Sequence, residues 1–373
     1  MVYLDSAATS FQKPKEVAGA VQCAMKTMSS PGRGGYKSAA LAERMVFRCR
    51  SAAGEFFGIE DASSVVFTMN ATHALNLAIK TLVPRNGTAL ISCCEHNAVT
   101  RPLHALGAKV KVASAPLFDS EELLRSFRRS LRTQVDAVIC THASNVFGWI
   151  LPIREIAALC RERGVPLIVD ASQTAGILPL DAPSLDAAFV AMPGHKGLYG
   201  PQGTGLLLCG ALPEPLIEGG TGSESINQEM PQFLPDRVEA GTANVPGIAG
   251  LSRGIGFVKQ LGHARIFRHE KALIEQTRRG LSKMKNVHVF SASDASLQLG
   301  VLSFLVEGTD SEEAAWRLSQ NGFALRGGLH CAPLAHAQAG TLRGGTLRLS
   351  VSVFNDPQEI EAFLRAVYRL FSR

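Results

Sequence analysis

Between about residues 65 and 210 the chain alternates short apolar runs with segments of helical period, and this constrains the fold more than any other feature. Val65–Thr68, Ala89–Ser92, Val110–Ala113, Ala137–Thr141, Leu167–Asp170 and Ala188–Met192 read as strands. Read as buried strands, they imply a sheet covered on both faces. Helical segments such as Arg154–Arg163 lie between most of them, and a helical crossover is what joins parallel neighbours. The pattern predicts an α/β fold with a mainly parallel central sheet and helices on both faces. Gly203–Leu208 is expected to run back along that sheet.

After about residue 245 the character changes. Gly247–Gly262 and His269–Met284 read as helices, and Val287–Phe290, Leu299–Val306 and Leu347–Val351 as strands. This predicts a smaller α+β unit. The expected division gives 16–245 to a large unit and 1–15 with 246–373 to a small one. The last helix is signposted by Asp356 as N-cap, Pro357 in the first turn and Glu359 completing a capping box. Ile360, Phe363, Leu364, Val367, Leu370 and Phe371 then recur at helical spacing, as a core stripe.

Bulk numbers exclude several classes. The formal charge of +6 is dispersed. The densest basic run, Arg125, Arg128, Arg129 and Arg132, falls on an expected helix as a solvated face, so no nucleic-acid partner is expected. No stretch approaches about 18 consecutive apolar residues, so no membrane span is expected. Met1–Asp5 enters a strand-like segment at once, without a leader pattern. Eight irregularly spaced cysteines make no disulfide framework, which fits reducing cytoplasm, and Cys93-Cys94 lacks the second pair a zinc site needs.

Lys196 follows an apolar strand and sits among glycines in Pro193-Gly194-His195-Lys196-Gly197. That places it at the edge where open α/β sheets bind ligands. A partly desolvated lysine loses its proton readily and can form a Schiff base. Upstream, Asp170 ends a strand and Gln173 follows it. A carboxylate there can hold a pyridine nitrogen protonated, as pyridoxal 5'-phosphate (PLP) chemistry requires, and Gln173 can bond the phenolic oxygen. Asp170 also fits a simple helix cap. Val66–His73 leads from a strand into a helix, where the amides at Asn70, Ala71 and Thr72 and the Thr72 hydroxyl suit a phosphate. Plain N-capping by Asn70 or Thr72 fits as well. No Walker or G-x-G-x-x-G pattern supports a nucleotide.

Tyr3-Leu4-Asp5-Ser6-Ala7-Ala8, Asn70-Ala71-Thr72-His73, Glu95-His96-Asn97-Ala98 and Ser144-Asn145-Val146-Phe147-Gly148 occur in that order. Val169-Asp170-Ala171-Ser172-Gln173, Gly194-His195-Lys196 and Glu239-Ala240-Gly241-Thr242-Ala243-Asn244 follow. Together they resemble the class V aminotransferase family of PLP enzymes, in particular cysteine desulfurases and selenocysteine lyases, over essentially the whole chain. The resemblance implies a PLP-dependent transferase of fold type I, acting as a homodimer. It implies that Lys196 is the Schiff-base lysine and moves the Cα proton, and that His96 stacks on the pyridine ring. Asn145 would approach the cofactor oxygen or the substrate, His195 the phosphate, and Thr242 the phosphate in the neighbouring subunit. Ala7, Asn145 and Arg326 would lie beside the substrate.

Leu325-Arg326-Gly327-Gly328-Leu329-His330-Cys331-Ala332-Pro333 is similar to the short catalytic-cysteine loop of one desulfurase subgroup. Cationic or polar neighbours favour a thiolate, and Arg326 and His330 are the candidates here. Arg348, on an expected strand, matches the arginine that binds the substrate carboxylate in the family. The implied reaction converts L-cysteine to alanine and leaves sulfur on Cys331 as a persulfide, for a sulfur-acceptor protein or thiol. Selenocysteine lyase, or another aminotransferase-type activity, is the alternative at the same site. The joint presence of Lys196, Asp170 and Cys331 argues against a non-enzymatic scaffold. The chain departs from the family at Pro193 and Ala71, where hydroxyl residues are common, and at Leu329, where the closest subgroup often has His.

Overall fold

The computed structural model describes residues 1–32 and 34–371. Its strands are β1 (Val2–Tyr3), β2 (Val65–Thr68), β3 (Thr88–Ser92), β4 (Lys109–Ala113), β5 (Ala137–Thr141), β6 (Leu167–Asp170), β7 (Phe189–Pro193), β8 (Gly205–Cys209), β9 (Val287–Phe290), β10 (Val301–Val306), β11 (Phe323–Ala324) and β12 (Leu347–Ser350). The helices are α1 (Lys15–Thr27), α2 (Lys37–Phe57), α3 (Ala71–Leu82), α4 (Asn97–Ala105), α5 (Ser120–Ser130), α6 (Ile153–Glu162), α7 (Ala182–Leu185), α8 (Val245–Leu261), α9 (His263–Leu281), α10 (Ser311–Gln320), α11 (Pro333–Gln338) and α12 (Pro357–Phe371).

A seven-stranded sheet runs in the order β2-β8-β7-β6-β5-β3-β4. Only β8 opposes the rest, pairing antiparallel with β2 and β7; the connection 194–204 that leads to it from β7 contains no helix to cross the sheet. Strands β5, β6, β7 and β8 are buried along their whole length, which is why their sequences show no alternation. β4 is not the buried strand expected: it forms one edge of the sheet, Val110 and Val112 are exposed, and Lys109 and Lys111 discourage pairing with another sheet. One apolar cluster, including Phe57, Phe127, Trp149 and Ile156, covers one face. Another, including Leu75, Ile79, Val99 and Leu103, covers the other.

The smaller unit is the antiparallel sheet β12-β10-β9, packed on α9, α10 and α12. The expected capping box exists: Asp356 Oδ1 accepts from Glu359 N at 2.9 Å, and Glu359 Oε2 accepts from Asp356 N at 3.3 Å. Ile360, Phe363, Val367 and Phe371 are buried beneath that helix. The N-terminal segment ties the units together. β1 pairs with β11, while Ser10 N donates to the His195 carbonyl at 3.0 Å. Helix α8 packs against α1 and α2 in one apolar cluster, so the large unit's packing continues past the expected division at 245. Among the described residues no helix is long and apolar enough to cross a membrane.

Candidate active site

Strands β2, β3, β5, β6 and β7 run the same way, so the segments following them converge on one edge of the sheet. Asn70–Thr72, Glu95–His96, Asn145, Asp170–Gln173 and His195–Lys196 all lie in those segments. Lys196 sits in a tight turn closed by Tyr199 N donating to the Lys196 carbonyl at 2.9 Å and Gly200 N to the Gly194 carbonyl at 2.7 Å. A Cβ at Gly197 would stand 2.4 Å from the Ala175 carbonyl, so glycine is required there. Burial pulls the Lys196 ammonium down to about 8; Asp170 opposes the shift and Arg348 adds to it.

Asp170 is buried, and its Oδ1 accepts from Ser172 N at 2.9 Å. It therefore caps the turn after β6 while its charge acts on both Lys196 and His96. Gln173 donates to the Ala7 carbonyl at 3.1 Å, and Ala7 N donates to Ser350 Oγ at 2.8 Å. His96 starts α4 by accepting from Ala98 N through Nδ1 at 3.0 Å. Burial lowers it to about 4, so its ring is neutral at pH 7. His195 is also pulled to about 4, by burial and then by the charges of Lys196 and Lys13; its Nδ1 lies 3.0 Å from Thr9 Oγ1.

At the start of α3, Asn70 Oδ1 accepts from His73 N at 2.9 Å, so the capping reading holds. The amides of Ala71 and Thr72, in the first turn, have no intrahelical acceptor and remain available to an anion. A cavity of about 160 Å³ adjoins this start, lined by Met69, His73 and Thr204 and by Thr242 and Asn244 of the same chain. The loop carrying Thr242 is clamped. Glu239 accepts from Arg50 at 2.7 and 2.8 Å and from Phe67 N at 2.6 Å, while Arg50 also donates to the Val65 carbonyl and lies over the Phe67 ring. Removing one partner of a largely buried pair strands the other charge. Arg50→Met should cost on the order of 3 kcal/mol, read as a lower denaturant midpoint at unchanged slope.

Cys331 is exposed, and its loop is fixed through the backbone. Asn145 Nδ2 donates to the His330 carbonyl at 2.8 Å, and Asn97 N donates to the Cys331 carbonyl at 2.7 Å. Both His330 and Cys331 have positive φ, 49° and 58°. The loop is thus held in a conformation non-glycine residues seldom adopt, next to the His96 turn. His330 departs from expectation. It is buried, its Nε2 lies 3.0 Å from the Thr346 carbonyl, and desolvation pushes it to about 2. It cannot be the cationic neighbour of the thiol. Arg326, exposed and bridged to Arg348, is the remaining cationic candidate.

Arg348 is only 2% exposed, which excludes a surface role. It donates to the Asn145 carbonyl at 3.0 Å and pairs with Asp5 at 2.7 Å, and its Nε has no partner. A substrate carboxylate would meet a guanidinium already shared with Asp5. Sequence reasoning assigned no role to Asp5, because nothing local announces a partner at the far end of the chain. It also missed Glu95, which is fully buried, accepts from Ser92 Oγ at 2.5 Å and Thr141 N at 2.8 Å, and is raised to about 8 by burial. A carboxyl inside an otherwise apolar strand end was the available signal. Among the described residues no group of three or more His, Cys, Asp or Glu side chains could hold a metal ion.

A sequence model of aminotransferase class-V matches residues 2–363. A probable cysteine desulfurase of Vibrio cholerae is 30% identical over 99% of this chain and 93% of its own length. One from Mycolicibacterium paratuberculosis is 32% identical over 99% of this chain, which spans 55% of that longer protein. The apo structure of a cysteine desulfurase from Thermococcus onnurineus superposes with a TM-score of 0.91 at 28% identity, covering 99% of this chain and 94% of that one. An Escherichia coli cysteine desulfurase in its S-sulfonic acid form gives 0.84 at 26% identity, covering 98% and 94%. The central sheet with its converging loops, and sequence likeness along nearly the whole length, lead to one conclusion: the chain belongs to the class-V aminotransferase family.

Proposed function

We propose that this chain is a PLP-dependent cysteine desulfurase that acts on L-cysteine and carries the sulfur on Cys331. The observation that supports this most is the Cys331 loop, exposed at its thiol yet pinned by backbone bonds to Asn145 and to the turn after His96. A nucleophile must be accessible and held in register with the reacting atom, and this loop meets both conditions.

The residues fit the cofactor. A largely desolvated amine, a buried carboxylate, a neutral imidazole and a helix start with free amides lie along one sheet edge. Lys196 would bond the cofactor's aldehyde carbon, Asp170 its ring nitrogen, Gln173 and Asn145 its phenolic oxygen side, and His96 its face. Ala71, Thr72 and His195 would hold the phosphate, with Thr242 supplied to a second copy's site in a homodimer. When bound, PLP supplies an electron sink for the pair left at the substrate Cα. Lys196 takes the Cα proton. Arg348, with Ala7 and Arg326 near it, orients the carboxylate. The Cys331 thiolate attacks the substrate sulfur, the carbon–sulfur bond breaks, and protons return to the carbon fragment. The balance is L-cysteine plus a Cys331 thiol giving alanine plus a Cys331 persulfide. An acceptor thiol or protein then removes the outer sulfur in a reducing cytoplasm.

The test is incubation of PLP-loaded protein with L-cysteine and excess dithiothreitol, assaying both products. Alanine and sulfide should appear in equal amounts. Alanine without sulfide, or neither product, removes the desulfurase reading.

A further inference from the structure

Glu270 lies on α9 of the smaller unit, far in sequence from every motif above. Its side chain is 1% exposed, and its Oε2 has no hydrogen-bond partner. It faces a cavity of about 30 Å³ at the seam between the two units. The same cavity is lined by Ser10, Gln173, Lys196, Tyr199, Ser350 and Ser352. Gly300 also lines it, and a Cβ there would come 2.5 Å from Glu270 Oε2, so the glycine makes room for the carboxyl.

A lone buried carboxyl is costly unless something satisfies it. The seam holds one water's volume and several polar groups, which are the two conditions for an ordered internal water. Ser350 Oγ accepts from Ala7 N, Ser352 Oγ from Phe354 N and Tyr199 Oη from Val353 N. Tyr199 and Ser352 also share a side-chain hydrogen bond, so the Ser350 proton and one proton of that pair are left to point elsewhere. Two of the lining residues hold the lysine turn: the Lys196 carbonyl accepts from Tyr199 N at 2.9 Å and from Ser10 Oγ at 3.1 Å.

We propose that Glu270 is a positioning residue for Lys196, binding a water in the seam that bridges its carboxyl to the hydroxyls around the lysine turn. The proposal rests on the reading of Lys196 as the cofactor-bearing lysine. Burial raises Glu270 to about 8, so the carboxyl carries its proton at pH 7 and can donate to the water. The other titratable groups facing the seam are Lys196 and Tyr199, both on the β7–β8 connection; the segments at 6–10, 173–177, 299–301 and 350–352 present none.

Glu270→Gln and Glu270→Leu test this in the PLP-loaded protein, by pH titration of the visible band of the lysine-bound cofactor. Gln keeps a polar neutral group but cannot ionise as Glu270 does near 8, so its midpoint should stand at or below wild type and above that of Leu. Leu dries the seam, disfavours the protonated nitrogen and should lower the midpoint by about half a pH unit or more. Equal midpoints in all three proteins overturn the proposal. If the Leu variant does not fold, Gly300→Ala displaces the carboxyl and should move the midpoint the same way. A high-resolution crystal structure of the wild type should show a water bonded to Glu270, and a dry seam sinks the idea independently. Thermal stability adds a cofactor-free arm. A carboxyl raised on folding keeps a proton the unfolded chain has lost, so its contribution falls as pH rises from about 4.5 through 8. Apo Glu270→Gln should equal wild type at pH 4 and melt about 3 °C or more above it at pH 9. Equal melting at both pH values removes the buried acid and the proposal with it. A wild type without a visible band refutes the cofactor reading, while the water and melting arms remain decisive on the seam.

Discussion

Cys331→Ala should slow alanine release from L-cysteine by at least about 100-fold while leaving the cofactor's visible band unchanged. The reason for separating those two readouts is structural. The loop is fixed by backbone groups, the His330 and Cys331 carbonyls, and neither bond involves the thiol. Residue 331 has φ of 58°, and alanine tolerates that conformation no worse than cysteine, so the loop should keep its place. On the proposed reading, what disappears is the nucleophile that accepts the substrate sulfur. Cys331→Ser should behave alike, because a serine hydroxyl at ordinary acidity is a poor sulfur acceptor. Mass spectrometry after one turnover should find one extra sulfur on the wild type and none on either variant. The same pair separates the runner-up activity. A selenocysteine lyase that needs no thiol would retain its turnover of L-selenocysteine in Cys331→Ala. Undiminished release of alanine from L-cysteine in that variant would falsify the desulfurase assignment.

The parts of the site that were legible in the sequence share a physical property: they follow strands whose burial is written in uninterrupted apolar runs. β2, β5, β6 and β9 begin and end where expected, because Ser, Asp, Thr, Pro and Asn at their borders contrast sharply with Val, Ile and Leu. Lys196, Asp170 and His96 could be placed at one edge once the strands were known to be parallel. Helix α9 was harder. It begins at His263, six residues before the expected start, since Gly262 at φ 78° interrupts the chain for one residue only and the first turns are polar. Pairings between distant segments left no local trace. Asp5 meets Arg348 across nearly the full chain, and Arg50 meets Glu239 across the large unit's edge. His330 shows the opposite failure. A histidine beside a catalytic cysteine suggests a cation, yet its ring turns inward toward Thr346 and packs 5.7 Å from His336, where no charge survives. Direction of a side chain, unlike its identity, is decided by tertiary packing.

Lys196→Ala should abolish the visible band and the borohydride-fixed cofactor, and cut alanine release by on the order of 1,000-fold or more. On the proposed reading the magnitude follows from two separate losses, the covalent attachment point and the base for the Cα proton. It also follows from how far the site has altered this amine. An ordinary lysine near 10.5 is about 0.3% neutral at pH 8, whereas one at about 8 is about half neutral, a gain of roughly 100-fold in nucleophilic form. Burial does most of this and the positive charge of Arg348 assists, while Asp170 works against both. The sign is testable on the wild type. The rate at which apoprotein captures PLP should rise about tenfold per pH unit below 7 and level off above about 8, where the amine is already free. Asp170→Asn removes the opposing carboxylate, so the plateau should begin at lower pH even though the cofactor binds less tightly. A rise continuing to pH 10, as for a solvated lysine, would show that the turn between β7 and β8 does not desolvate this amine.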